Sequence, residues 1–499
     1  MGQIRKQAII SSIVIYIGFF IGFINTWLFT KNGIFLPEEY ALTRLFFDVG
    51  QIMYAVASLG TITVIYKFYP YYKDNLSAKE NDLATWILIT VLIGFCLVIV
   101  GGLIFEPLIV QKFSGRSPLF TDYYKWVFPF GLGLLLFTIF EAFSNNARKT
   151  IYPAFLRETG FRLLTTILIA FYLLKLIGFD LFIKLFAFSF LITAALLAFS
   201  LAKRGHLHLN FHVSRVTKKF KTKMMTLGGF VFSGQVIFIL SQVMDSIFIA
   251  SLMGLVPTGI FALSSYIANL IQIPQRSMIS ITLPIVSQAW KDKNMQEINR
   301  IYKRSSINLL LAALFIFGGI WLNVEDAFRL LDIQSAYSTG LTVVFILGIS
   351  RIIDAGTGIN SQIIMTSTQW RFEFLTGVLL LSISLPLNYI LIKKFGIEGS
   401  AYANLIAFAI YNGIRYTFLW KRYKLQPFSF KTVLALLTGV VAYFISYYLF
   451  KEMTGWMGII LRSSLFTVLF FTGIFALKLT PDALQLVEVV KKRFGKKSE

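Results

Sequence analysis

Apolar residues in this chain come in long runs, separated by short stretches rich in charge, Pro or Gly. A membrane-crossing helix takes about 20 mainly apolar residues. Runs of that kind lie near residues 8–30, 40–66, 83–105, 119–144, 155–174 and 181–202. A second series follows near 225–253, 258–288, 305–324, 339–366, 372–392 and 398–420, and then a pair near 432–450 and 455–477. The pattern predicts an all-α polytopic membrane protein of about 14 transmembrane helices, as two six-helix sets and a terminal pair.

Composition agrees. Of 499 residues 56% are hydrophobic and 14% charged, against roughly 25% charged in a soluble chain. Disorder is excluded, and so much apolar surface does not suit a set of soluble domains. The first run, Ala8 to Thr30, is too long for a signal peptide and lacks a small-residue cleavage site, so it reads as a retained helix. Cys96 is the single cysteine and lies inside an apolar run, so no intramolecular disulfide is possible.

The net charge of +23 would in a soluble protein suggest nucleic acid. With the amino terminus placed in the cytoplasm, however, the inner segments carry 32 of the 47 Lys and Arg residues and the outer loops 11. That bias is the positive-inside signature, so the charge reports topology, with both termini cytoplasmic and no nucleic-acid partner. The remaining four, Arg44, Arg276, Arg351 and Arg415, fall within helices.

Shifting the chain by 218 lays KLIGFD (175–180) on KKFGIE (393–398) and Lys203-Arg204 on Lys421-Arg422, and with small gaps YAL (40–42) falls on FAL (261–263). The halves read as copies of one six-helix unit. Because six is even, they share an orientation, which places a transport site between them. The expected division is 1–202 as a first lobe, 203–224 as a basic cytoplasmic linker rich enough in Lys and Arg to touch anionic lipid headgroups, 225–424 as a second lobe, and 425–499 as two extra helices and a basic tail.

Enzyme chemistry is hard to place on this chain. There is no nucleophile elbow, Walker loop or dinucleotide fingerprint, and the longest outer loops have only about a dozen residues. A membrane glycosyltransferase or ligase would need a larger module. His206, His208 and His212 fit neither a zinc finger nor a zincin spacing, so no metal or cofactor is expected.

The informative residues are charges at membrane depth, where an Arg costs roughly 2.5–3.5 kcal/mol unless it meets water or a partner. Arg415 is near enough to the cytoplasmic Lys421 to snorkel. Arg44 has Asp48 one turn on as an intrahelical partner. Arg351 lies roughly 18 Å into its run, with Asp354 three residues on, and Arg276 roughly 27 Å into its run just after Pro274. Arg276, which has no local acid, is the best candidate to offer an anion a planar, bidentate contact, with Arg351 and Arg44 as second choices. Among the intramembrane acids, Asp245, Asp354 and Glu141 are candidates to carry a coupling proton or sodium ion; Asp245 lacks a cation in its own helix.

QVMDSIFIASLMGLVPTGIFALS (242–264), LPEEYAL (36–42) and SISLPLNYILIKKFGIEGSAYANLIAFAI (382–410) resemble segments of the polysaccharide transporter (oligosaccharide flippase) family, within the multidrug/oligosaccharidyl-lipid/polysaccharide exporter superfamily. The resemblance spans nearly the whole chain. It implies two six-helix lobes forming a V around a cationic cavity. It further implies alternating access that carries an undecaprenyl-pyrophosphate-linked oligosaccharide across a bacterial cytoplasmic membrane for cell-surface polysaccharide biosynthesis. A polysaccharide polymerase or glycosyltransferases would be its partners. The alternative within the superfamily is an ion-coupled multidrug or cation antiporter, usually with 12 helices and an acid-rich cavity. A major-facilitator transporter is disfavoured because YKFYPYYKDN stands where its charged loop after the second helix belongs.

Overall fold

The computed structural model describes residues 2–77, 79–205 and 207–482, with side chains from Val14 onward. Contacts divide the chain into two compact units, Met1–Gly259 and Ile260–Glu499. Among the described residues the architecture is nearly all helical, with no strand.

Unit 1 contains α1 (Gly2–Thr30), α2 (Pro37–Ala57), α3 (Thr61–Asn75), α4 (Leu83–Ile104), the short α5 (Glu106–Phe113) and α6 (Pro118–Asp122), and α7 (Val127–Asn146). It continues with α8 (Ile151–Phe155), a π turn at Leu156–Gly160, α9 (Phe161–Leu173), α10 (Phe179–Lys203) and α11 (Arg215–Leu252). Its core is aromatic: Phe46, Phe130, Phe161, Phe186 and Phe190 from α2, α7, α9 and α10 meet edge-on or stacked, with Phe161 and Phe190 centroids 4.3 Å apart. Such pairs add about 0.5–1.5 kcal/mol each beyond the area they bury. They matter in a membrane because exchanging lipid for Leu gains nothing there.

α12 (Leu255–Asn269) follows, running through a 3-10 turn at Leu270–Gln272 into α13 (Ile273–Lys291). Unit 2 then holds α14 (Met295–Leu330), α15 (Leu341–Gly356), α16 (Asn360–Thr366), α17 (Trp370–Phe395), α18 (Ile397–Tyr423), α19 (Phe430–Phe450) and α20 (Gly455–Ala476).

All fourteen expected apolar runs fall on helices. Among the described residues, ten helical segments are long and apolar enough to cross a membrane, and an eleventh is counted if the pair α2 and α3, bent by 52°, is one span. α18 is not among them because it carries Glu398, Asn404, Asn412 and Arg415 along its length.

Two expected single helices are broken. The run 40–66 turns at Ser58–Gly60, where Leu59 and Gly60 both have positive φ. A Cβ on Gly60 would lie 2.2 Å from the Gly228 carbonyl oxygen, so the bend is pressed against α11 and only Gly fits. The run 339–366 breaks after Gly356, and Gly358 (φ +68°) sits where a Cβ would be 2.9 Å from Ser305 Oγ.

The segment expected as a linker is folded. Residues 207–214 run without regular helix, and α11 begins at Arg215 under Ser214, whose hydroxyl accepts from the Thr217 amide. Asp82, fully buried at the start of α4, accepts from the Ser214 amide (2.8 Å), the Thr217 hydroxyl (2.7 Å) and Trp86 Nε1 (3.1 Å). Packing therefore groups α11 with α2 and α3, whereas the sequence repeat assigns its membrane part to the second copy.

Candidate functional site

In hydrocarbon, irregular backbone survives only where its freed polar groups are satisfied inside the protein or by cavity water. The break between α15 and α16 is such a place. Ser306 Oγ donates to the Gly356 carbonyl (2.5 Å), and Thr357 Oγ1 donates to Asn412 Oδ1 (3.0 Å). Asn360 Nδ2, just past the break, donates to the same Asn412 oxygen (3.0 Å).

Asp354 stands in the last turn before this break. Its carboxylate accepts from Asn412 Nδ2 (3.0 Å), Gln272 Nε2 (3.2 Å) and Gln275 Nε2 (3.2 Å). Three neutral amides therefore surround one carboxylate, with the 3-10 turn ahead of α13 bringing Gln272 into place. Hydrogen bonds to a charged group are worth about 1.5–3 kcal/mol each, and amides provide them without neutralising the charge. The arrangement holds an anion at membrane depth, with amide and hydroxyl oxygens at its edge. Oxygen ligands of that kind suit a hard cation.

A second acid continues the network. Ser361 donates from its amide to Asn360 Oδ1 (2.6 Å) and from its hydroxyl to Glu373 Oε1 (2.7 Å). Glu373 in turn holds Arg415, whose Nε donates to Oε2 at 3.0 Å and whose second terminal nitrogen reaches Oε1 and the Tyr411 hydroxyl. Arg415 is 4% exposed and lies 3.6 Å from the centre of the Tyr411 ring. This corrects the snorkelling expected for Arg415: a buried partner on α17 outcompetes the membrane surface.

The other cations of this unit are placed differently. Arg351, on α15, lies over the Phe408 ring at 5.3 Å. Arg276 is exposed on α13, next to Gln275, which turns to Asp354.

Unit 1 carries its own polar clusters. Arg44 and Asp48, one turn apart on α2, interact as the spacing predicts; Ser246 donates to Asp48, and Asp245 adds a second negative charge beside it. Glu141 on α7 pairs with Arg157 on the π turn at 2.9 Å. Arg157 also donates to Thr138 Oγ1 (3.4 Å) and lies over Phe137. Tyr54 feels both charges of that pair and hydrogen-bonds Gln235, which accepts from Ser58 at the α2–α3 bend (3.4 Å).

Sequence reading missed Arg157, Arg162 and Arg462 because each was counted with a neighbouring loop, and Glu373 because it stands at the edge of its apolar run. The signal for one was present: Glu158 and Arg162 stand four apart, and they pair at 3.2 Å. Of the three histidines, His206 lies outside the described residues, and His208 Nε2 is 3.1 Å from the Gly205 carbonyl. Among the described residues no cluster of three potential metal ligands occurs.

The described residues form a polytopic helical architecture with broken helices and charged clusters at membrane depth. Solved structures share this fold. The lipid II flippase MurJ in an inward closed conformation matches with a TM-score of 0.72 at 17% identity, over 94% of this chain and 99% of that one. An inward-facing multidrug resistance MATE family transporter of the MOP superfamily matches with a TM-score of 0.64 at 16% identity, over 83% of this chain and 94% of that one. A MATE structure in complex with MaL6 matches with a TM-score of 0.56 at 18% identity, over 84% and 96%. No family model matches the sequence, and no curated protein matches it.

Proposed function

We propose that this chain is a flippase that moves a lipid-linked oligosaccharide, with undecaprenyl pyrophosphate as the carrier, across a bacterial cytoplasmic membrane by alternating access. The observation that carries the reading is the extent of the fold match: the lipid II flippase covers 94% of this chain, whereas the multidrug transporter covers 83%. A pyrophosphate must leave water to cross about 30 Å of hydrocarbon, so its carrier needs fixed positive charge. In this reading Arg276, Arg351 and Arg44 supply it. Asp354, Asp245 and Glu141 serve the ion-coupled step, with a proton or sodium ion as the driving species.

The two expected lobes, 1–202 and 225–424, are then the moving bodies, joined through 203–224 and extended by 425–499. Both termini face the cytoplasm, and polymerase or glycosyltransferase partners act on the same lipid-linked substrate. The reading involves no catalytic residue and no cofactor.

Reconstitution tests it. Purified protein in liposomes should expose a fluorescent undecaprenyl-pyrophosphate oligosaccharide to an outside glycosidase at a rate well above that of protein-free liposomes. Equal rates would overturn the flippase. The amide-held Asp354 favours a second reading, an ion-coupled cation antiporter; ethidium efflux driven by a sodium or proton gradient in the same liposomes, with no lipid movement, would select it.

A further inference from the structure

On α18, Ile410, Ile414, Thr417 and Lys421 recur at spacings of four, three and four, which keeps them on one stripe of the helix, and Arg422 follows at its end. Gly413 interrupts that stripe, and a Cβ there would meet nothing within 4 Å. The missing side chain forms the floor of a groove of about 640 Å³. Phe372 of α17 makes its wall, with its ring stacked on Phe418 at 3.9 Å. The lining is apolar until the groove ends at Lys421 and Arg422, both exposed and neither in an ion pair among the described residues.

The length is informative. From Ile410 to Arg422 the helix rises about 18 Å, close to half of the roughly 30 Å hydrocarbon thickness. A single leaflet is that deep. Trp420, 48% exposed, stands at the same end as the two cations, where an amphipathic ring marks the headgroup level.

We infer that this groove is a binding site for an anionic phospholipid, with one acyl chain along Ile410 to Phe418 and the phosphate at Lys421 and Arg422. Charge complementarity selects the occupant. A helix of a partner protein would fill an apolar groove but would leave two unpaired cations at its end, and a zwitterionic lipid brings no net negative charge to them. Cations near an anionic lipid surface are each worth about a fivefold gain in binding. The site is independent of the transport reading, since it needs no substrate and no coupling ion.

Native mass spectrometry of the purified full-length protein in detergent, titrated with palmitoyl-oleoyl phosphatidylglycerol or the matching phosphatidylcholine, reads the site directly. Phosphatidylglycerol should bind the unaltered protein more tightly than phosphatidylcholine. Lys421→Gln with Arg422→Gln should weaken phosphatidylglycerol binding roughly 25-fold and leave phosphatidylcholine unchanged. Gly413→Leu should weaken it while keeping both cations, and Thr417→Trp serves as a second filling variant where Gly413→Leu does not fold. Equal retention of the two lipids by the unaltered protein would overturn the site. Undiminished phosphatidylglycerol binding by a folded groove-filled variant would do the same, because it would leave only surface charge attraction.

Discussion

Arg415 on α18 and Glu373 on α17 form a largely buried ion pair, with Nε 3.0 Å from Oε2, Arg415 4% exposed and Glu373 half-buried. Burying two charges is expensive, and their attraction offsets that cost only while both remain. The pair is also the end of a chain of contacts through Ser361, Asn360 and Asn412 to Asp354, so it fixes the helix break as well as its own two helices.

Removing one partner should therefore hurt more than removing both. Glu373→Gln or Arg415→Met alone should destabilise by about 3–5 kcal/mol, because each leaves an uncompensated buried group. The double variant Glu373→Leu with Arg415→Met should recover much of that loss. Thermal unfolding of the four proteins in one detergent gives the comparison, and equal losses in single and double variants would show that the pair itself does little.

The bend between α2 and α3 makes a steric prediction. Gly60→Ala places a Cβ 2.2 Å from the Gly228 carbonyl at a left-handed φ of +71°, so α11 must move or the turn must open. Backbone strain of that kind costs on the order of 1–3 kcal/mol. Gly229→Ala, one residue from the contact and with open space around it, should be nearly neutral. A fluorescence-detected melting curve distinguishes them, and similar melting of the two variants would count against the close approach.

The carboxyl-terminal helices have an acid-sensitive clamp. Asp482, beyond the end of α20, accepts hydrogen bonds from Arg304 Nε (3.3 Å) and Asn308 Nδ2 (2.5 Å). Its hydrogen bonds to Arg304 hold its carboxyl below the ordinary carboxylate range. Because the folded value is the lower one, the contact's stability is fully present above the ordinary range and is lost as pH falls through the lowered value. The melting temperature of the protein should therefore fall as pH drops through the acid range. Asp482→Asn should melt lower at neutral pH, with a flatter dependence of melting on pH, and an unchanged profile would count against the clamp.

Much of the architecture is legible in the pattern of apolar runs, because lipid demands apolar surface wherever a helix crosses it. All fourteen runs lie on helices, and the intrahelical partners Arg44 and Asp48 do interact. The sequence conceals features that depend on close approach between distant segments. The breaks at Gly60 and Gly358 exist because neighbouring backbone or side-chain atoms occupy the Cβ position, which no local pattern encodes. Arg462 is the same lesson in charge: it looks like a loop residue near a helix start, yet it is 6% exposed and paired with Asp326 of α14. Asp354 was legible as an intramembrane acid, but Gln272, Gln275 and Asn412 were not, since amides carry no charge to make their depth conspicuous.

Under the proposed function, Arg276 and Asp354 offer separate tests of substrate binding and ion coupling. Arg276 is exposed on α13, whereas Gln275 beside it is committed to Asp354, so changing the arginine leaves the amide cluster intact. Arg276→Ala should lower the rate of lipid-linked oligosaccharide movement by one to two orders of magnitude, the worth of one charge-assisted bond. Lys at that position should restore part of it, keeping the charge but not the planar fork. Melting temperature should stay unchanged in both. Asp354→Asn should behave differently: the new amide nitrogen faces Gln and Asn donors, so both stability and the dependence of transport on the driving ion should fall. Measuring rate, ion dependence and melting in the same liposome preparations checks the assignment. An Arg276→Ala protein that moves the lipid at the unaltered rate would remove this residue from the substrate path, and unchanged ion dependence in Asp354→Asn would remove the amide-held carboxylate from coupling.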